Sequence, residues 1–121
     1  MRALITGIAG SGASYLAEYL INEQNLEVHG ISRWHSTSSL KNLKSIQNKL
    51  VLHECDLNDL SAVIRALKDS KPDFIFHLAS HANVQVCFSN PIAVLQNNIN
   101  GTINLFEAIR ILEQNPKILF C

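Results

Sequence analysis

The chain has 121 residues, 10 Lys and Arg against 10 Asp and Glu, and a formal net charge of +0, with 47% hydrophobic and 17% charged residues. That length sets one domain as the ceiling and lets roughly two thirds of the unfolded surface be buried, while the balanced charge removes the electrostatic footprint of nucleic-acid or anionic-membrane binding. The apolar run Ala3-Leu4-Ile5 is too short for a signal-peptide core, nothing approaches the ~20 apolar residues of a membrane span, and Cys55, Cys87 and Cys121 are too scattered for a disulfide framework, so a reduced, cytoplasmic protein is expected.

Arg2 to Thr6 reads as a short apolar strand running into Gly7-Ile8-Ala9-Gly10-Ser11-Gly12-Ala13, after which Tyr15, Leu16, Tyr19 and Leu20 recur at helical spacing. Glu27 to Ser32 predicts a second strand. Arg33 to Ser45 is polar and Ser-rich, with Leu40, Leu43 and Ile46 as its anchors, and predicts a surface loop with one short helix. Leu50 to Glu54 follows as a third strand. Leu60, Val63, Ile64 and Leu67 then mark a helix that Asn58 or Asp59 can cap. A fourth strand spans Phe74 to Leu78, and Asn90-Pro91 opens a long helix with Val94, Leu95, Ile99 and Leu105 on one side. Lys117 to Phe120 completes five strands. Strands alternating with helices predict an α/β, doubly wound parallel sheet of the Rossmann type, with helices on both faces.

The first turn carries the strongest chemical signal. Glycines 7, 10 and 12 lie between strand and helix, where the missing Cβ lets backbone N–H groups approach a pyrophosphate at the positive end of the helix. A P-loop is excluded because no lysine occurs before Lys41, and a nucleophile elbow is excluded because Ser11 is flanked by Ala9 and Ala13. The second strand ends in Ser32-Arg33-Trp34-His35-Ser36, with no acid before Glu54 to receive a ribose 2′-OH. Arg33 and Ser36 suit a 2′-phosphate instead, which favours NADP over NAD, the alternative being a solvated loop arginine. Asp56-Leu57, at the end of the third strand, is read either as an adenine contact or as a cap of the next helix. His77 and His81, four apart but not on one helix, are not a metal pair, so no metal site is expected and His77 reads as a core-edge histidine. Leu78-Ala79-Ser80 leaves the fourth strand at the switch point, under a cofactor's ribose and pyrophosphate. Asn97-Asn98-Ile99-Asn100-Gly101-Thr102 puts polar residues and a glycine into the long helix, a cost of ~1 kcal/mol relative to alanine. It implies close packing there, with Asn98 either bonded to backbone near the active centre or solvated.

These residues resemble the extended short-chain dehydrogenase/reductases that act on nucleotide sugars. The resemblance runs the full chain. It rests on Ile5-Thr6-Gly7 through Gly10, Ser14-Tyr15-Leu16-Ala17-Glu18, Cys55-Asp56-Leu57, His77-Leu78-Ala79, and Asn98 through Gly101-Thr102 with Asn104-Leu105. Tyr15 to Glu18, Glu27 to Ile31 and the Arg33-Trp34 loop are most similar to the GDP-mannose 4,6-dehydratase branch, whose members are NADP-dependent lyases. The resemblance implies oxidation at sugar C4, loss of water across C5 and C6, and return of the hydride to C6, together with a nucleotide-sugar substrate and a homo-oligomer, for which the helix from Pro91 is the candidate interface. It places His81, Asn83 and Cys87 on the substrate side, Cys87 where the family commonly has serine; the other reading of Cys87 is an inert buried thiol. Ala13 stands where the family's third glycine usually lies. The family's Ser or Thr, Glu, Tyr and Lys acid/base groups are expected beyond Cys121, so residues 1–121 are read as the NADP-binding N-terminal part of a longer enzyme, inactive alone. An epimerase or 4-keto-sugar reductase shares every motif quoted, and a non-catalytic NADP-sensing domain keeps the cradle without the Tyr and Lys.

Overall fold

A computed structural model describes residues 1–33 and 40–121. Five parallel strands form one sheet: β1 (Arg2–Thr6), β2 (Glu27–Ser32), β3 (Leu50–Glu54), β4 (Phe74–His77) and β5 (Lys117–Phe120). Their order is β3-β2-β1-β4-β5, so the chain reverses its winding between β3 and β4 and crosses back over β1. Ile5 stands level with Gly30 on one side and Phe76 on the other, and Thr6 with His77. Parallel strands need covering on both faces, and the apolar runs Ala3-Leu4-Ile5 and Phe74-Ile75-Phe76 supply side chains to each. β4 ends one residue before the predicted Leu78, because the Leu78 N–H turns away from the ladder and donates to Thr6 Oγ1 at 3.1 Å.

Helices α1 (Ser11–Asn22), α2 (Leu60–Ser70), the short α3 (Val84–Ser89) and α4 (Pro91–Ile111) fill the crossovers. Among the described residues between β2 and β3, where one short helix is expected, there are two 3-10 segments, Leu40–Leu43 and Gln47–Lys49; Leu43 and Ile46 anchor them, joining Ala3, Ile5, Val28 and the buried stripe of α1 on one sheet face. On the other face Leu4, Ile31 and Ile75 meet Val63 and Leu67 of α2 and Leu105, Ala108 and Ile109 of α4. Each such Val, Leu or Ile side chain, fully buried, contributes ~1.5–3 kcal/mol.

Two helices bury only part of the expected faces: Leu20 in α1 and Val94 and Leu105 in α4 are buried as expected. In α1 the buried stripe is Ala13, Ala17, Leu20 and Ile21, while Tyr15 and Tyr19 point outward, the Tyr19 hydroxyl accepting from Gln24 Nε2 at 2.9 Å. Small residues let this helix lie close on the sheet. α4 buries Val94, Gly101, Leu105, Ala108 and Ile109, leaving Leu95 and Ile99 exposed beside Ile92, Ile103 and Phe106. It runs unbroken through Asn97 to Thr102. Asp59, one of the two predicted caps, closes α2, accepting from Ser61 N at 3.0 Å and Ala62 N at 3.3 Å. Asn90 precedes α4 as expected but makes no side-chain capping bond.

Candidate functional site

The C-terminal ends of β1, β2, β3 and β4 open into a cleft of about 280 Å³ at the point where the strand order reverses. Gly7 turns the chain out of β1 with φ +69°, and a Cβ there would lie 2.9 Å from Ala79 Cα, so the exit of β4 rests directly on the glycine. Gly30 is equally constrained, by Ile8 Cγ1 at 2.7 Å. Gly10 and Gly12 are different. A Cβ on Gly10 would meet only Gly7 O, at 3.4 Å, and one on Gly12 nothing within 4 Å. The fold therefore does not demand these two glycines, and the room they leave lies at the start of α1, whose N-cap is Gly10 without a side-chain bond and whose first turn holds no acid. A helix start of this kind presents orphan N–H groups and the positive dipole end to an anion.

Of the residues singled out in the sequence, Gly7 and Gly10 form the cleft's first wall, Arg33 its β2 side, Asp56 and Leu57 its β3 side, Leu78, Ala79 and Ser80 its β4 side, and Asn98 its α4 side. Ser11 and Gly12 sit exposed on the first turn of α1. Ala13 is buried in the core, which confines its contribution to the backbone. Asp56 does not cap α2: its Oδ1 accepts from Asn58 N at 2.9 Å, and the cap is Asp59. The Asn98 side chain is not solvated. It clamps the backbone of His81, with Oδ1 accepting from His81 N at 2.9 Å and Nδ2 donating to His81 O at 3.4 Å. Ser11, Gly12 and Ala13 fall outside the lining, and so do the three substrate-side readings: His81 is half-buried beside it, exposed Asn83 caps α3 by accepting from Val86 N at 3.2 Å, and Cys87 Sγ, also half-buried, lies 3.8 Å from His81 O. Trp34 and Ser36 lie outside the described residues.

The α4 wall is fixed against the β3 turn. Gly101 permits this, since a Cβ there would be 3.2 Å from Leu57 Cβ, while Asn104 Nδ2 donates to Leu57 O at 2.7 Å and Asn58 Nδ2 to Asn97 Oδ1 at 3.0 Å. Cys55 lines the cleft from below, and burial, reinforced by the negative charges of Asp56 and Asp59, pushes its thiol up to about 11. It is inert at neutral pH. His77 is buried, bonded through Nδ1 to Thr6 Oγ1 at 2.8 Å and through Nε2 to Thr102 Oγ1 at 2.9 Å, and burial holds its pKa below the ordinary histidine value. Sequence reasoning found the histidine and missed both threonines. Thr6 is signalled by a polar residue ending an otherwise apolar strand, as His77 is, while Thr102 lies inside α4 and has no such signal. Among the described residues no group of three or more His, Cys, Asp or Glu could hold a metal, and no helix is long and apolar enough to cross a membrane.

The GDP-mannose 4,6 dehydratase family profile matches residues 4–121. The GDP-mannose 4,6-dehydratase of Yersinia enterocolitica is 38% identical over 117 residues, 91% of this chain and 31% of its own length. That of Vibrio cholerae O1 El Tor is 38% identical over 128 residues, 98% of this chain and 33% of its own length. The chain thus spans about a third of these curated relatives. Among solved structures, the UDP-glucose 4-epimerase of Thermus thermophilus, in complex with NAD, superposes with a TM-score of 0.82 at 31% identity, over 93% of this chain and 35% of that one. With the profile covering nearly every residue and the glycine turn, switch-point cleft and clamped α4 all in place, the chain belongs to the GDP-mannose 4,6-dehydratase family.

Proposed function

We propose that these residues form the NADP-binding part of a nucleotide-sugar 4,6-dehydratase acting on a GDP-mannose-like substrate. The observation that carries the reading is the open, acid-free start of α1, where neither Gly10 nor Gly12 is filled by the chain itself and Gly10 lines the same cleft as Arg33. The N–H groups of Ser11, Gly12 and Ala13 bind the pyrophosphate; Arg33, with Ser36, takes the 2′-phosphate in a charge-assisted fork. Asp56 and Leu57 border the adenine, its free carboxylate oxygen accepting from the exocyclic amine, while Leu78, Ala79 and Ser80 pass beneath ribose and pyrophosphate. Asn98 holds the His81 backbone, and with it the entry to the segment bearing Asn83 and Cys87, toward the sugar. The chemistry supplied when NADP is bound is hydride removal at sugar C4 and its return at C6 after water is lost across C5 and C6, with no net redox change.

These residues bind and orient; they do not include the family's proton-transfer set. Tyr15 and Tyr19, the two tyrosines, stand on the outer face of α1, so the 121 residues alone are inactive. A homo-oligomer is supported by the exposed apolar face of α4, Ile92, Leu95, Ile99, Ile103 and Phe106, and a cytoplasmic setting by three free thiols. The likeness to an NAD-bound epimerase favours a second reading, an epimerase that uses NAD.

Titration calorimetry separates the two cofactors. NADPH should bind more tightly than NADH, and Arg33→Ala should weaken NADPH by at least about tenfold, the scale of one charge-assisted hydrogen bond, while sparing NADH. Equal affinities, both indifferent to Arg33→Ala, would remove NADP in favour of NAD.

A further inference from the structure

We infer that His77 is a positioning residue of the cleft, acting as the neutral Nε2–H tautomer in a one-way chain of hydrogen bonds that ties the exit of β4 to α4. The inference rests on the dinucleotide reading of the cleft. The polarity follows from counting donors and acceptors. Thr6 Oγ1 receives N–H bonds from Leu78 and Ala79, both at 3.1 Å, which occupies its two lone pairs. The third contact, to His77 Nδ1 at 2.8 Å, must therefore use the Thr6 hydroxyl proton, and Nδ1 must be bare. At the far end the Thr102 hydroxyl donates to Asn98 O, one helical turn back, at 2.9 Å, which leaves Thr102 Oγ1 to accept from His77 Nε2–H at 2.9 Å. Both ends independently require the same tautomer.

The two ends hold different walls. Thr6 grips the Leu78 and Ala79 amides, and Ala79 lies against Gly7, so the β4 exit is set over the glycine turn. Thr102 bonds the carbonyl of Asn98, whose side chain clamps His81 on both its N–H and its carbonyl. The groups packed on the ring are Thr6 from β1, Thr102 from α4 and the ring of Phe120 from β5, with ring centroids 5.5 Å apart; none is charged. A charged His77 would put an N–H against an oxygen that is already saturated, releasing Thr6 from Leu78 or Ala79. His77 thus fixes the spacing of the cleft's two walls without touching what lies between them.

The test uses the 121-residue chain without nucleotide. Nitrogen-correlated NMR of the ring at pH 7 should show a bare Nδ1 and a protonated Nε2; an Nδ1–H tautomer or a charged ring overturns the inference. Amide hydrogen exchange reads the positioning. In His77→Phe, which keeps a ring and deletes both bonds, exchange at Leu78, Ala79 and His81 should rise at least about tenfold over the protection loss elsewhere in the sheet. A uniform rise, or none, overturns it. Should that variant fold poorly, His77→Asn and His77→Gln carry the same readout: Asn keeps an acceptor near Thr6 and should protect Leu78 and Ala79, while Gln keeps a donor near Thr102 and should protect His81. The same pattern in both variants overturns it. NADPH titration then joins this to the site. Binding that His77→Phe weakens about tenfold supports the role, and binding it leaves unchanged removes the role. No NADPH binding by the unaltered chain sinks the dinucleotide reading alone, with the tautomer and exchange results still deciding whether His77 sets the walls.

Discussion

Two helices begin at the same edge of the sheet and solve the same problem in opposite ways. The start of α2 is closed: Asp59 accepts from Ser61 N and Ala62 N, satisfying orphan donors and placing a negative charge at the positive end of the dipole. The start of α1 is open, with glycine as the cap, no acid in the first turn, and glycines that no atom of the chain requires. A fold that can cap one helix with aspartate could have capped both. On the proposed reading, the start of α1 gives up stability so that a ligand can do the capping, and a set of substitutions can break or sharpen that contrast.

Gly7→Ala should have the largest effect. At φ +69° an alanine is strained, and its Cβ would stand 2.9 Å from Ala79 Cα, a backbone atom that cannot swing aside. Left-handed strain and overpacking together cost about 3 kcal/mol, read as a fall in the denaturant midpoint at unchanged slope. A loss below roughly 1 kcal/mol would mean that the β4 exit is not seated on Gly7.

Next comes the pair of pH windows that separate the two regions. Burial holds the pKa of His77 below its unfolded value near 6.5, and burial with the neighbouring His29 charge does the same to His53. The unfolded chain therefore binds protons that the folded chain refuses, and stability is whole above about pH 6.5 and falls as pH drops toward the folded pKa, at no more than about 1.4 kcal/mol per pH unit for His77. Half-buried His53 adds less. Asp59 is lowered by its bonds to Ser61 and Ala62, so its contribution is present above the ordinary carboxylate pKa and is lost only as pH falls through the still lower folded value. The histidine contributions should be lost in mild acid and that of the α2 cap only in strong acid. Asp59→Ala should lower Tm by roughly a few degrees, flatten the acid limb of stability and leave NADPH affinity alone; a loss of affinity would show that the two helix starts are not independent.

How much of this was readable in advance divides along physical lines. Four of the five strands are legible to the residue because each is a short apolar run ended by Gly, Pro or a polar turn, and β4 differs only because the Leu78 amide prefers the Thr6 hydroxyl to the ladder. The buried faces of α1 and α4 are legible only in part, through Leu20, Val94 and Leu105. Tyr15, Tyr19, Leu95 and Ile99 repeat at the same helical period as the inner residues, and where the inner stripe is built from Ala13, Ala17, Gly101 and Ala108 the larger side chains outweigh it in any pattern. Arg33, Asp56, Leu57 and Ala79 could be placed in the cleft because they follow strand ends, and the ends of parallel strands share one edge. The chain from Thr6 through His77 to Thr102 depends on register between strands 71 residues apart and on where α4 docks, which no local pattern carries.

The smallest effect is the most discriminating. Gly12 lies in the first turn of α1 in ordinary helical backbone, and a Cβ there meets nothing within 4 Å. Judged on folding alone, Gly12→Ala should help, by up to about 0.5 kcal/mol at so early a helical position, since alanine loses less backbone freedom than glycine. Judged on the cleft, it should harm, because a methyl group would stand where the pyrophosphate must approach the N–H groups. The same substitution should therefore raise Tm in the free protein and weaken NADPH binding, whereas Asp59→Ala does the reverse on the first count and nothing on the second. Thermal unfolding with and without NADPH measures both signs in one experiment. If Gly12→Ala raises stability and binding is untouched, the space beside Gly12 serves no ligand and the open start of α1 loses its explanation.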